Sequence, residues 1–206
     1  MSSDFVDYVL EHLPPAPARI LEVGCGEEGG VAPDLAAAGY DVLAIDPRAP
    51  EGPLYRRVSL EELDGSGPFD AAVGGRVLHH VDPLGPALDK LVGLAPVLIL
   101  DEFACNRIDA SARDWYRERY LDVAVGGVVP HAPESLEDWE AAHAGLHPYP
   151  VLRRELDRRY DERDFSWRPY LYRWLRDAET KLLEERLIAA GNLQPIGFRY
   201  TGVAKS

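Results

Sequence analysis

The run Arg19-Ile-Leu-Glu-Val23 breaks directly into the glycines of LEVGCGEEGG (21–30), and no other feature constrains the fold of this chain as much. A segment this apolar, cut off by Gly24, reads as a short strand buried on both faces, the kind found in parallel sheets. After Gly24, Gly26 and Gly29 comes VAPDLAAAGY (31–40), a helical stretch with Pro33 in its first turn and Gly39 at its C-terminal end. DVLAI (41–45) is a second buried strand, ending at Asp46-Pro47. Strand, glycine turn, helix and strand make one βαβ unit, in which the crossover sets the two strands parallel.

The alternation continues. Residues 4–13 read as an amphipathic helix stopped by Pro14-Pro15. LYRRV (54–58) reads as a third strand, SLEEL (59–63) as a short helix, FDAAV (69–73) as a fourth strand, DPLGPALDKLVGL (82–94) as a helix and PVLILDEF (96–103) as a fifth strand. A sixth strand is expected around Tyr160 to Trp167 with a short aromatic helix after it, then a helix over 178–190 and a last strand in PIGFRYTGVA (195–204). This pattern is α/β and Rossmann-like: a mostly parallel sheet with helices on both faces, whose ligands bind outside the carboxyl ends of the strands. The stretch 106–177 holds all four tryptophans and is expected to be a lid or insertion over that edge, within a single domain spanning 1–206.

Composition narrows the function. A formal charge of −13 disfavours a nucleic-acid partner, because affinity for phosphate backbones rests on Lys and Arg. The N-terminal residues lack the pattern of a secretory signal, no segment approaches the roughly 20 apolar residues of a membrane span, and two cysteines make no disulfide framework. A cytoplasmic monomer or homodimer with no membrane partner is the expectation. His143 and His147 have a metal-like spacing, but Gly145 and Pro148 spoil the helix, and no metal is expected.

Gly24-x-Gly26-x-x-Gly29 with Asp46 twenty residues beyond Gly26 fits a dinucleotide site, in which a pyrophosphate sits on the helix start. Glu27 and Glu28 stand at that start, and like charges ~4 Å apart repel by ~1 kcal/mol in water and ~4 at an effective dielectric near 20. A phosphate-free, cationic nucleoside removes the conflict. S-adenosylmethionine is such a ligand, with Glu22 facing its cationic tail, Gly24 and Gly26 allowing close backbone approach, and Asp46 accepting from the ribose hydroxyls.

With ILEVGCGEEGG followed by VLAIDP, FDAAVGGRVLHHV and VLILDEF, the chain resembles the class I S-adenosylmethionine-dependent methyltransferases, especially small bacterial ones acting on small molecules. The resemblance covers about residues 15–105. It implies a seven-stranded sheet with the last strand antiparallel, an S-adenosylmethionine cofactor, and Glu22, Gly24 and Gly26 as the first motif, with Cys25 inside it. It also implies Asp46, beside Pro47, as the ribose-binding acid, Ser59 and Leu60 near the adenine, and Gly74 at the ligand's ammonium. Many relatives carry an Asp beside the adenine amino group, where this chain offers Ser59.

His79 and His80 follow the fourth strand, at the ligand edge, and histidine is the usual general base near neutral pH. One of the two should point inward as packing. Glu102, at the end of the fifth strand, is a further candidate base. Trp115, Tyr116, Trp139 and Tyr170 are candidates for the wall of an acceptor site, although large aromatics more often form core. The reaction expected is methyl transfer to an oxygen, nitrogen or carbon of a small molecule. The alternatives are an S-adenosylmethionine-binding scaffold without methyl transfer and a nicotinamide oxidoreductase.

Overall fold

The computed structural model describes residues 3–131 and 133–205. Seven strands form one sheet in the order β3-β2-β1-β4-β5-β7-β6: β1 (Arg19–Val23), β2 (Asp41–Ile45), β3 (Tyr55–Arg56), β4 (Ala71–Gly75), β5 (Val97–Phe103), β6 (Tyr160–Arg168) and β7 (Gly197–Ala204). β1 pairs parallel with β2 and with β4, placing Val23 opposite both Ile45 and Gly74, and β4 pairs parallel with β5, placing Gly75 opposite Asp101. Chain order runs outward from β1 in one direction through β2 and β3 and then restarts at β4 on the other side. This reversal makes the carboxyl ends of β1 and β4 the topological switch point, where open α/β sheets bind their ligands.

The helices are α1 (Ser3–His12), α2 (Ala32–Ala37), α3 (Leu84–Leu94), α4 (Ala110–Val125), α5 (Leu136–Ala142), α6 (Tyr149–Arg159), α7 (Leu171–Leu175) and α8 (Ala178–Ala189). The expected strands and most helices form, with three differences. β3 shrinks to two residues. The first crossover helix is shorter than 31–40, running only from Ala32 to Ala37, and it follows a turn through Gly29 (φ 84°) and Gly30 (φ 61°), where a right-handed helix cannot run. SLEEL is a turn: Ser59 and Glu62 do exchange the two bonds of a capping box, Ser59 N–H to Glu62 Oε2 at 2.9 Å and Glu62 N–H to Ser59 Oγ at 3.3 Å. Gly65, at φ 63°, then stops the chain before a helix can propagate, and a single turn does not offset the cost of nucleation.

Two compact units share this chain, one of residues 1–102, 150–165 and 199–206, the other of 103–149 and 166–198. The aromatic stretch 106–177 is therefore not one piece, since most of α6 and the first part of β6 fall in the first unit. In the first unit, Phe5, Tyr8 and Val9 of α1 join Ile20, Leu35, Val42, Val73 and Ile99 in one core. Burying a side chain such as Phe5 or Val9 completely contributes roughly 1.5–3 kcal/mol, enough to hold a ten-residue helix that would be marginal alone. Tyr8 Oη also donates to Asp164 Oδ2 at 2.9 Å, and Asp4 pairs with the buried Arg199 at 3.2 Å.

In the second unit, Phe103, Tyr116, Tyr170 and Trp174 form a buried cluster, with Phe103 stacked on Tyr170 at 4.6 Å and edge-on to Trp174 at 5.3 Å. The carboxylate of Glu184 on α8 accepts from the backbone N–H groups of Tyr170 (2.7 Å), Leu171 (3.1 Å) and Tyr172 (2.9 Å), so it caps the otherwise unsatisfied start of α7. Burial outweighs those bonds and raises the pKa of Glu184 above the usual carboxylate range.

Candidate functional site

The site grows from the end of β1. Gly24 N–H donates to Ile45 O at 2.8 Å, which ties the glycine turn to the end of β2. Asp46, the next residue on that side, accepts from Gly26 N–H at 3.1 Å with Oδ2 and from Arg48 N–H at 2.7 Å with Oδ1. A carboxylate has about four lone-pair directions, so two remain for a diol. At Gly26 a Cβ would meet nothing within 4 Å, whereas at Gly24 it would lie 2.6 Å from Val77 Cγ2. The turn is thus covered at Gly24 and open at Gly26, beside Asp46.

Glu22 is the buried acid of this site. Its side chain reaches back under the turn, where Oε1 accepts from Val31 N–H at 2.8 Å and Oε2 is buried with no hydrogen-bond partner. Burial pushes its pKa up to about 7, against the lowering effect of its backbone hydrogen bonds and with the charge of Asp34 adding to the rise. A half-satisfied buried carboxylate is costly to keep ionised. Cys25 is buried too, and burial first, then the charges of Glu22 and Asp46, push its thiol up to about 12, so it stays protonated and packs as a small apolar group.

Glu27 and Glu28 correct the electrostatic reading of the sequence. Both face solvent on the turn ahead of α2 rather than on a helix start, and Glu27 lies 3.5 Å from Arg48 with both side chains mostly exposed. Their repulsion is screened, and such a pair is worth little. The buried acid beside this turn is Glu22, five residues upstream of Glu27.

Of the other expected cofactor residues, Gly74 is buried at the end of β4, Pro47 is exposed beside Asp46, Leu60 is buried, and the half-buried Ser59 spends its hydroxyl on Glu62 N–H. After β4 the chain passes through Arg76 in the left-handed region (φ 58°), its N–H bonded to Asp101 O at 2.7 Å, into a 3-10 turn over Leu78–His80. A left-handed non-glycine residue costs of the order of 1 kcal/mol. Arg76→Gly should therefore raise stability by about 0.5–1 kcal/mol, read as a higher urea midpoint at unchanged slope; a loss of that size would show the backbone there to be relaxed.

The three candidate bases separate. Glu102 is fully buried and His79 nearly so, joined at 2.6 Å between Oε2 and Nδ1. For Glu102, burial is the largest influence and acts upward, but the charge and bond of His79 and the N–H groups of Leu78 and Val77 outweigh it and hold the carboxyl below its usual range. An ionised carboxylate in three hydrogen bonds is a poor base. His80 is exposed, its ring 4.2 Å from that of His79. In the second unit, Tyr116 and Tyr170 are core, while Trp115 and Trp139 pack on that core half-buried, Trp139 stacked on His143 at 4.3 Å. Among the described residues no group of His, Cys, Asp and Glu could hold a metal ion.

Sequence reasoning missed Gly30, Tyr55 and Val77. A Cβ on Gly30 would fall 1.8 Å from Glu22 Oε1, and one on Gly29 would fall 2.5 Å from Tyr55 Oη. The doubled glycine at 29–30 was the available signal, since one glycine suffices for the fingerprint.

Residues 2–168 match the family model described as a methyltransferase domain. No curated protein matches the chain significantly. Solved structures similar in fold include magnesium protoporphyrin IX methyltransferase from Synechocystis PCC 6803 with bound S-adenosylhomocysteine, 17% identical over 98% of this chain and 81% of that one, with a TM-score of 0.57. An S-adenosylmethionine-dependent methyltransferase from Mesorhizobium loti is 14% identical over 97% and 96% of the two chains, with a TM-score of 0.59. The Burkholderia thailandensis 1,6-didemethyltoxoflavin-N1-methyltransferase, with bound 1,6-didemethyltoxoflavin and S-adenosylhomocysteine, is 18% identical over 92% and 72%, with a TM-score of 0.53.

Proposed function

The chain belongs to the methyltransferase-domain family and is an S-adenosylmethionine-dependent enzyme, and from that premise we propose that it methylates a small molecule, with its glycine turn and Asp46 holding the cofactor. The observation that carries the cofactor assignment is the open backbone at Gly26 beside a carboxylate with unused acceptor sites. The orphaned oxygen of Glu22 and the absence of any Cβ at Gly26 fit a nucleoside bearing positive charge. The residues assigned to it are Glu22, Gly24, Cys25, Gly26, Asp46, Pro47 and Gly74, with Leu60 as apolar support and Ser59 a part of the turn that carries it.

S-adenosylmethionine supplies a methyl group already activated by its sulfonium. The protein's part is therefore chiefly orientation, an effect worth about 7–11 kcal/mol when two reactants are held in line. Glu22 counters the positive charge, Asp46 fixes the ribose, and His80, the exposed histidine, accepts the proton that an oxygen or nitrogen acceptor releases. His79 and Glu102 hold the turn that carries His80. Within the second unit, the half-buried Trp115 and Trp139 are the candidates for apolar contact with a small molecule, and Tyr116 and Tyr170 belong to the buried core on which they pack. A small acceptor accords with the charge of −13 and with the small molecule bound in the Burkholderia enzyme.

Transfer of a labelled methyl group from S-adenosylmethionine into a panel of small aromatic acceptors tests this reading; label reaching nucleic acid or protein instead would overturn it. Asp46→Ala should weaken S-adenosylhomocysteine binding about tenfold or more by calorimetry, because it removes a charged hydrogen-bond acceptor. Undiminished affinity would remove Asp46 from the site.

A further inference from the structure

The turn after β4 is organised by a group that cofactor binding does not itself require. Glu102, with no exposed surface, accepts from Val77 N–H at 2.9 Å and Leu78 N–H at 2.6 Å through Oε1, and its Oε2 lies 2.6 Å from His79 Nδ1. Charge-assisted bonds of this kind in a dry setting leave the turn one conformation. The consequence is the placement of Val77. Its two methyl groups lie over bare glycine backbone: a Cβ on Gly24 would come 2.6 Å from Cγ2, and one on Gly74 would come 3.0 Å from Cγ1. The same side chain thus covers the end of β1 and the end of β4 at the switch point, while Gly26, next to Asp46, stays open.

We propose that Val77 forms the wall of the cofactor cleft at its amino-acid end, and that Glu102 is the residue that positions it. The proposal rests on the reading of the glycine turn as the cofactor site. Asp46 marks the ribose end of that cleft, so the covered end, at Gly24 and Gly74, is left for the methionine tail. Val77 gives the tail a dry, branched and stiff surface, since a β-branched side chain has little rotamer freedom. Glu102 acts through the backbone of Val77 and Leu78 and touches no reacting atom.

The test uses the full chain and two ligands, S-adenosylhomocysteine, which has the amino-acid tail, and 5′-methylthioadenosine, which lacks it. Val77→Ala should weaken S-adenosylhomocysteine about tenfold, the loss expected for two methyl contacts, and leave 5′-methylthioadenosine within about twofold. Glu102→Ala should show the same tail-selective loss, with faster amide exchange at Val77 and Leu78 in the ligand-free protein. Glu102→Gln, which keeps a carbonyl oxygen for both N–H groups, should retain most of the affinity. Equal weakening of both ligands would mean general loosening and would overturn the assignment of the wall, as would unchanged affinity for S-adenosylhomocysteine in Val77→Ala. Wild-type protein that binds neither ligand would instead remove the cofactor site on which the assignment stands.

Discussion

Replacing Gly30 with alanine should destabilise the protein by about 3–4 kcal/mol, one of the largest losses open to a single methyl group anywhere in this fold. Two costs add. Gly30 has φ 61°, where a residue with a Cβ is strained by of the order of 1 kcal/mol or more. The new Cβ would also lie 1.8 Å from Glu22 Oε1, in a place already full. A flexible carboxylate on the surface would swing aside cheaply. Glu22 is 1% exposed, and to move it must give up its bond from Val31 N–H, leaving a buried donor unsatisfied at about 1–3 kcal/mol. Urea unfolding of the single and double variants separates the two costs. Glu22→Ala/Gly30→Ala should recover most of the steric part relative to the sum of the single changes, so the pair should couple by about 1–2 kcal/mol. A Gly30→Ala protein within about 1 kcal/mol of wild type would mean that Glu22 does not pack under the turn.

Local punctuation made the first half of the fold legible. β1 and β2 have the bounds read from the sequence because Gly24 ends one and Asp46-Pro47 the other, while apolar runs fill both. SLEEL misled because its capping box is real, and only the backbone of Gly65 decides that no helix follows. The site was legible as a list of residues and not as an arrangement. Glu22 lies in a strand buried on both faces, so its side chain had to be inside, yet nothing local says that it turns toward Val31. The glycine fingerprint puts Glu27 and Glu28 at the start of α2, whereas the structure holds both on an exposed turn ahead of Ala32. Val77 over Gly24 and Tyr55 against Gly29 are contacts between residues far apart in the chain, which no spacing rule reaches. Among the histidines, the expected division into one inward and one outward ring is what the 3-10 turn produces, with His79 inside.

Glu22→Gln should change how stability depends on pH. Burial raises the folded pKa of Glu22 from 4.5 to about 7. The folded protein therefore keeps a proton that the unfolded chain has lost anywhere between those two values. Proton uptake on folding means that Glu22's contribution is fully present below about 4.5, falls as pH rises, and is gone above about 7. At about 1.4 kcal/mol per pK unit the full loss is of the order of 3 kcal/mol. Glutamine has the same shape, carries no charge, and keeps a carbonyl oxygen for Val31 N–H, so the variant should match wild type near pH 4.5 and exceed it by about 2–3 kcal/mol at pH 8. Glu184 and Glu102 also titrate from buried positions, with shifts of opposite direction, but both are common to the two proteins and drop out of the difference. A difference that stays flat across this range would show that Glu22 is ionised throughout. The same reasoning links stability to binding, for an acid kept at a cost is expected where a ligand returns it. At pH 8 a bound S-adenosylmethionine brings positive charge to the ionised Glu22 and has none to pair in the glutamine variant. The thermal upshift at a fixed S-adenosylmethionine concentration should then be larger in wild type than in Glu22→Gln, and equal upshifts would separate Glu22 from the recognition of the cation.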